Sequence, residues 1–458
     1  MFILPGILGL VTLIFARPFE FVEILRGIPL LYVFFGLSLF GYAVDLRLGF
    51  SDVRSTPHLP WAITFVVWCV FTGLVKAPAM FGTGVINIAV FFVLFFLIAH
   101  GIKTFRAFEV LAALILGCTI WVACVCAHQG LAPFECVAVA PGEDHSSAGT
   151  PDGRPCDDIP ICYNNPPDPE ALYRCERVGL FGTTSIGHGR VRYVGVLHDP
   201  NEVAMIVSVA MPLAFAFYQR RRSKKRMAVL ITTVVLVAMT VIFSQSRGGQ
   251  LVFITVIGVY FLQRYGFKGL VAGAVMLLPM LLLGGRASQE AAVSSAERLE
   301  CWYAGTLMFK SSPLIGVGFD QFIQHHFLTA HNSFVLAAAE LGIIGLIIWM
   351  STAYIAIKIP FRALFDLRGV PGAEAARIWA LALVSSLSGM TIGVFFLSFI
   401  YHYVLWIYLG LPGAYYLAVR SHLPNWTVRF GWRDLLLVST AAVALTALIF
   451  VYVRVKLG

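Results

Sequence analysis

Residues 297–342 read ERLECWYAGTLMFKSSPLIGVGFDQFIQHHFLTAHNSFVLAAAELG. The segment opens polar and charged, turns through Gly316 and Gly318, and just after His331 enters an apolar run that continues to Ile357. That run is longer than the roughly 20 residues an α-helix needs to cross the hydrocarbon core of a bilayer. Glu340 is its only charged residue. An Arg, several His and a Glu thus gather at the mouth of a membrane-crossing helix, where polar chemistry is both wet and anchored.

The rest of the chain supports the same class. It has 458 residues, 59% hydrophobic and 12% charged, with a mean hydropathy of +0.83, far too apolar for a soluble multidomain protein. Apolar runs fall near 2–16, 28–44, 61–77, 84–100, 107–127, 200–218, 228–243, 250–263, 269–284, 331–357, 377–397, 402–418 and 435–453. The first is short, and MFILPGILGL lacks the basic start of a cleavable signal peptide. The sequence therefore predicts an all-α polytopic membrane protein with about twelve or thirteen transmembrane helices. Its expected divisions are helices over 1–127, a polar Cys-containing loop over 128–199, helices over 200–284, a second polar segment over 285–330, and helices over 331–458.

The formal charge of +9 follows from topology. Arg220, Arg221, Arg222, Lys224, Lys225 and Arg226 crowd one interhelical loop, and Lys103, Arg106, Arg264, Lys268, Lys358, Arg362 and Arg368 fall on the same side. The positive-inside rule makes that side cytoplasmic, so the charge gives no reason to expect a nucleic-acid partner. On the opposite side lie five of the nine cysteines, Cys136, Cys156, Cys162, Cys175 and Cys301. Four in one loop suit disulfides in an oxidising compartment, with three pairings open. No CxxC spacing argues for zinc.

Three constellations on that face could carry chemistry. In SQSRGGQ, Arg247 stands before Gly248 and Gly249; its planar fork matches phosphate oxygens two at a time, and an interfacial lipid anchor is the simpler alternative. In GRVRYVGVLHDPNEVA, DPNE is a helix start, with Asp199 or Asn201 as cap and Pro200 in the first turn. Capping explains Asp199 and Asn201 as positioning residues. It leaves Arg192 either paired with Asp199 or holding a phosphate. The third is 297–342 itself. Arg298 precedes an apolar-aromatic helix pattern, and His325, His326 and His331 follow the Gly turn. A neutral imidazole at a wet membrane boundary can serve as a general base, although a lone interfacial His is more often structural. His331 has company in Asn332, Ser333 and, about 13 Å deeper on the helix, Glu340. An acid at that depth marks either function or a tightly paired network.

SQSRGG, ERLECWYAGTLMFKSSPLIGVGFDQF and HNSFVLAAAELGIIG together resemble the shared core of the O-antigen ligase and O-antigen polymerase superfamily, as does RxxGxxxDPNxxA over 192–204. The resemblance implies transfer of a glycan from a polyprenyl-diphosphate carrier, on the periplasmic face of the bacterial inner membrane, to a glycolipid, glycan or protein acceptor. It implies that Arg247 and Arg298 hold the diphosphate, with Arg192 as a third contact, and that His331 takes the acceptor proton in an inverting attack. Asn332, Glu340, Asp199 and Asn201 support them. Cationic Arg side chains stabilise the leaving diphosphate, so neither metal nor cofactor is expected. The early Cys-bearing loop departs from the ligases, which carry their large loop after the SRG turn, and that leaves the acceptor open. A polymerase of the same superfamily is the alternative. From another class, an ion-coupled transporter could use Glu202 and Glu340, although the sequence lacks an evident inverted repeat.

Overall fold

The computed structural model describes residues 2–50, 55–79, 81–139, 149–269, 271, 273–274 and 288–457. Thirteen helices of ten or more residues occur among them: α1 (Ile3–Phe15), α2 (Leu30–Arg47), α3 (Leu59–Lys76), α4 (Phe81–Gly101), α5 (Phe105–Leu131), α6 (Pro200–Arg220), α7 (Lys224–Ser244), α8 (Arg247–Tyr265), α9 (Ser288–Ser311), α10 (Ser333–Asp366), α11 (Glu374–Gly393), α12 (Tyr403–His422) and α13 (Trp432–Leu457). Nine of these, α2 to α7, α10, α11 and α13, are long and apolar enough to cross a membrane. The fold is an all-α polytopic membrane protein. The expected spans at 250–263 and 402–418 exist as α8 and α12, whose polar, Gly and Pro positions lower their hydropathy. The expected span at 2–16 is the short α1, and the one at 269–284 lies almost wholly outside the described residues.

The chain forms two compact units. The first comprises Met1–Ile7, Phe35–Leu111 and Ala287–Gly458. Its core is aromatic: the Trp406 ring stacks on Phe91 at 4.7 Å and meets Phe95 edge-on at 5.7 Å. Helices in lipid gain little from hydrophobicity towards one another, so interlocking rings and short backbone distances hold them together. At about 1.5 Å per residue, the 34 residues of α10 would reach beyond 50 Å, well past a bilayer core of about 30 Å. The helix is broken instead at Gly342, which has φ +67° and ψ −173°. Exposed Leu436, Val443, Leu448 and Val451 give α13 the apolar outer face that lipid requires.

The second unit comprises Leu8–Phe34 and Ala112–Arg286. It contains α6, α7 and α8, with α6 buried along most of its length. Its polar loop folds into a small antiparallel sheet: β1 (Phe134–Val139), β2 (Thr150–Pro155) and β3 (Leu172–Arg177), in the order β2-β1-β3. The expected disulfides are present, and the pairing is Cys136–Cys162 and Cys156–Cys175. Cys136 lies directly opposite Cys175 in the β1–β3 register. These two neighbours do not bond to each other, and each reaches instead to the segment between β2 and β3. Three short strands cannot build a core of their own, so the bridges supply much of the stability. Replacing Cys156 and Cys175 together by Ser is expected to cost about 3 kcal/mol. The check is limited proteolysis, with new cleavage inside 149–177 and intact helices; unchanged resistance would show that the bridge is dispensable.

Candidate functional site

In the second unit the SRG turn begins where α7 ends. Gln245 closes α7 in the left-handed region at φ +51°, and Ser246 caps α8, its Oγ accepting from Gly249 N at 3.0 Å. The same hydroxyl donates to Asn201 Oδ1 at 2.7 Å. Asp199 in turn caps α6, accepting from Asn201 N at 2.5 Å. One side-chain hydrogen bond therefore joins the DPN start and the SRG turn. Gly249 makes room for the junction: a Cβ there would come within 2.4 Å of Ala204 Cβ. Arg247, the first residue of α8, is exposed, and among the described residues it has no hydrogen-bond or ion-pair partner. A cation at the positive end of a helix is unfavourable by itself, so the spot suits an anion that can engage both.

Arg192 is placed differently. It is 2% exposed, its Nε donates to Thr184 O at 2.9 Å, and its backbone N donates to Gln129 Oε1 at 2.9 Å. Burial lowers the guanidinium pKa to about 10, with the Arg174 charge pushing the same way and Glu176 and Asp199 opposing. It is still a cation at neutral pH, buried rather than presented. Arg190 Nε donates to Ser244 O at 3.1 Å and Val191 N to Phe243 O at 3.2 Å, so this segment is stitched to the end of α7 immediately before the SRG turn.

In the first unit the PLIGVG turn and the HN helix interlock through backbone. Val317 N donates to Ala339 O at 2.9 Å, Gly318 N to Glu340 O at 2.9 Å, and Ile343 N to Pro313 O at 2.8 Å. A Cβ on Gly316 would lie 2.2 Å from the Glu340 carbonyl carbon, and one on Gly342 would lie 2.3 Å from that of Leu314. Both glycines have positive φ, so no other residue fits either place. Glu340 accepts from Phe322 N at 2.8 Å, Asp320 N at 3.2 Å and Tyr401 Oη at 2.8 Å. Of the two meanings open for this intramembrane acid, the tightly paired network is the one found. It clamps the Gly turn to α10.

His331 enters α10 half-buried and with φ +49°, a backbone state that a non-glycine residue holds only where its surroundings enforce it. Asn332 Oδ1 caps the helix, accepting from Phe334 N at 2.9 Å and Val335 N at 3.1 Å. Its Nδ2 is buried and has no hydrogen-bond partner among the described residues, a donor that a native fold rarely strands without reason. Ser333 Oγ donates to Leu397 O at 2.7 Å and accepts from Phe399 N at 2.8 Å, pinning the helix start to the segment after α11. Helix α9 runs parallel to this element: Glu300 stands 3.9 Å from His326, Gly305 faces Val335, and Leu314 meets Gly342. Arg298, half-buried, lies two residues before Glu300 on the same helix. His325 Nδ1 is engaged with Gln321 O at 2.9 Å and His326 Nδ1 with Leu328 O at 3.0 Å.

The structure thus joins Arg192, Asp199, Asn201 and Arg247 in one unit, and Arg298, His331, Asn332 and Glu340 in the other. Ser246, Thr184 and Tyr401 were not singled out from the sequence. Ser246 stood inside the SQSRGG motif, whereas Tyr401 lies 61 residues from Glu340 with no local pattern to mark it.

Residues 232–350 match the model of a family described as O-antigen ligase. No curated protein matches the chain significantly. The matched segment contains the SRG turn, Arg298, the PLIGVG turn and the HN helix, the same elements whose contacts are described above. Over this segment the chain is similar to the O-antigen ligase family.

Proposed function

We propose that the protein transfers a glycan from a polyprenyl-diphosphate carrier to an acceptor hydroxyl on the periplasmic face of the bacterial inner membrane. His331 takes the proton of the acceptor hydroxyl as that oxygen attacks the anomeric carbon. The bond from the anomeric carbon to the diphosphate oxygen breaks, and polyprenyl diphosphate leaves with the electron pair. Attack from the side opposite the leaving group inverts the anomeric centre. Arg247 and Arg298 hold the diphosphate and stabilise its growing charge, while Arg192, Asp199 and Asn201 position the SRG turn.

The observation that carries the reading is the backbone state of His331 beside the stranded Asn332 Nδ2, inside the segment that matches the ligase family. An imidazole held in a strained state next to a donor in need of a partner suits a site built for a ligand. Glu340 argues against the transporter, since three donors on its carboxylate suit a fixed clamp better than a group that must take and release an ion.

The test of donor recognition is direct binding of a fluorescent polyprenyl diphosphate to the purified protein. Arg247→Ala and Arg298→Ala are each expected to weaken binding by about 10- to 100-fold, the value of a charge-assisted contact. Wild-type affinity in both variants would remove the arginines from the donor site.

A further inference from the structure

The disulfide-bonded module of the second unit carries a cavity of about 680 Å³ that none of these roles uses. Phe134, Tyr163, Tyr173, Asp157, Asp158 and Arg174 are among its lining residues. The lining is fixed. Tyr163 and Tyr173 meet edge-on at 5.6 Å, Tyr173 N donates to Tyr163 Oη at 3.0 Å, and Asp168 N donates to Tyr173 Oη at 3.1 Å. Both disulfides brace the same strands, and Cys175 itself lines the cavity. Asp158 is occupied as the cap of Ile159–Cys162. Asp157 is exposed, and among the described residues it has no hydrogen-bond or ion-pair partner.

We propose that this cavity binds the acceptor as a saccharide, an inference that rests on the transfer reading above. A pyranose offers an apolar C–H face and hydroxyls that donate and accept at once. The exposed Tyr163 ring suits the face. A carboxylate that only accepts and a guanidinium that only donates, both in the lining, suit the hydroxyls. A hydrocarbon chain would bury the Asp157 carboxylate without a partner, and a phosphate would face the carboxylates of Asp157, Asp158 and Glu176. The bridges and the ring-to-backbone bonds preorganise the lining, which lowers the cost of binding. The wall is also connected to the donor motif. Glu176, which lines the cavity, accepts from Ser185 Oγ at 2.5 Å. The adjacent Thr184 holds Arg192, whose charge acts on Asp199, and Asp199 leads through Asn201 to Ser246.

The experiment uses the full chain in nanodiscs, a polyprenyl-diphosphate-linked glycan, and solubilised envelope extract from a strain lacking the protein, which supplies the natural acceptors. Asp157→Asn and Tyr163→Ala are expected to raise the half-saturating amount of extract about tenfold or more. Half-saturation by donor should stay unchanged, and Tyr163→Phe, which keeps the ring, should recover most of the wild-type value. Intact disulfides by mass spectrometry confirm the fold of each variant. Transfer with wild-type extract dependence in both variants would overturn the cavity assignment and leave the transfer reading standing. A product whose glycan is released by protease would overturn the saccharide and assign a polypeptide acceptor. Failure of the wild type to release polyprenyl diphosphate would instead bring down the transfer reading, and this inference with it.

Discussion

His331→Asn is expected to lower glycan transfer by about 10²- to 10⁴-fold, the range typical of a lost general base, with yield and thermal stability near wild type. Asparagine is the informative replacement because the backbone at 331 has φ +49°, which Asn tolerates better than most residues. A loss in His331→Asn therefore reports the imidazole and not the backbone. His331→Gly serves as a second control, since glycine also accepts this conformation. Donor binding should survive in both, because the diphosphate contacts are assigned to arginines. Neighbouring imidazoles offer no ready substitute: His325 and His326 are each tied through Nδ1 to a nearby backbone carbonyl. If transfer persisted in His331→Asn and vanished in His326→Asn, the base would have to be moved to His326.

The second large effect is expected at Glu340. Its carboxylate serves two backbone amides and the Tyr401 hydroxyl, and each buried donor left unsatisfied costs about 1–3 kcal/mol. Glu340→Ala should destabilise the protein by on the order of 3 kcal/mol or more. The measurements are a thermal shift in detergent and new proteolysis at the 313–330 turn. Gly316→Ala strikes the same junction from the other side, because its Cβ would meet the Glu340 backbone at 2.2 Å. The two changes disrupt one interface, so their effects should combine to less than their sum. An ion-coupling role would give the opposite pattern, with a stable Glu340→Gln protein that has lost only transport.

Much of this was legible in the sequence because it is local. A cap is set by residues two or three positions apart, so DPNE could be read as a helix beginning, with Asp199 or Asn201 as its cap. The apolar runs similarly announced the helices, and the clustering of four cysteines announced disulfides. Contacts between distant residues could not be read. Nothing near Glu340 points to Tyr401, and nothing in DPN points to Ser246. The reason for two of the glycines was equally hidden. Gly316 and Gly342 look like ordinary turn and helix residues until each is found pressed against the other's segment. Arg192 shows the limit of motif reading: the sequence left it either paired with Asp199 or holding a phosphate, and its burial against Thr184 could not be read.

The most direct test of the central claim follows one sugar from carrier to acceptor. Purified protein would be given a polyprenyl-diphosphate-linked glycan of known anomeric configuration together with the acceptor extract. The product linkage would then be determined by NMR, and its size distribution by electrophoresis. The account predicts release of polyprenyl diphosphate and a product with inverted configuration, with both lost in His331→Asn. A single added chain would mark ligation, and a ladder of repeats would mark polymerisation. Retained configuration, or equal release by wild type and His331→Asn, would contradict it.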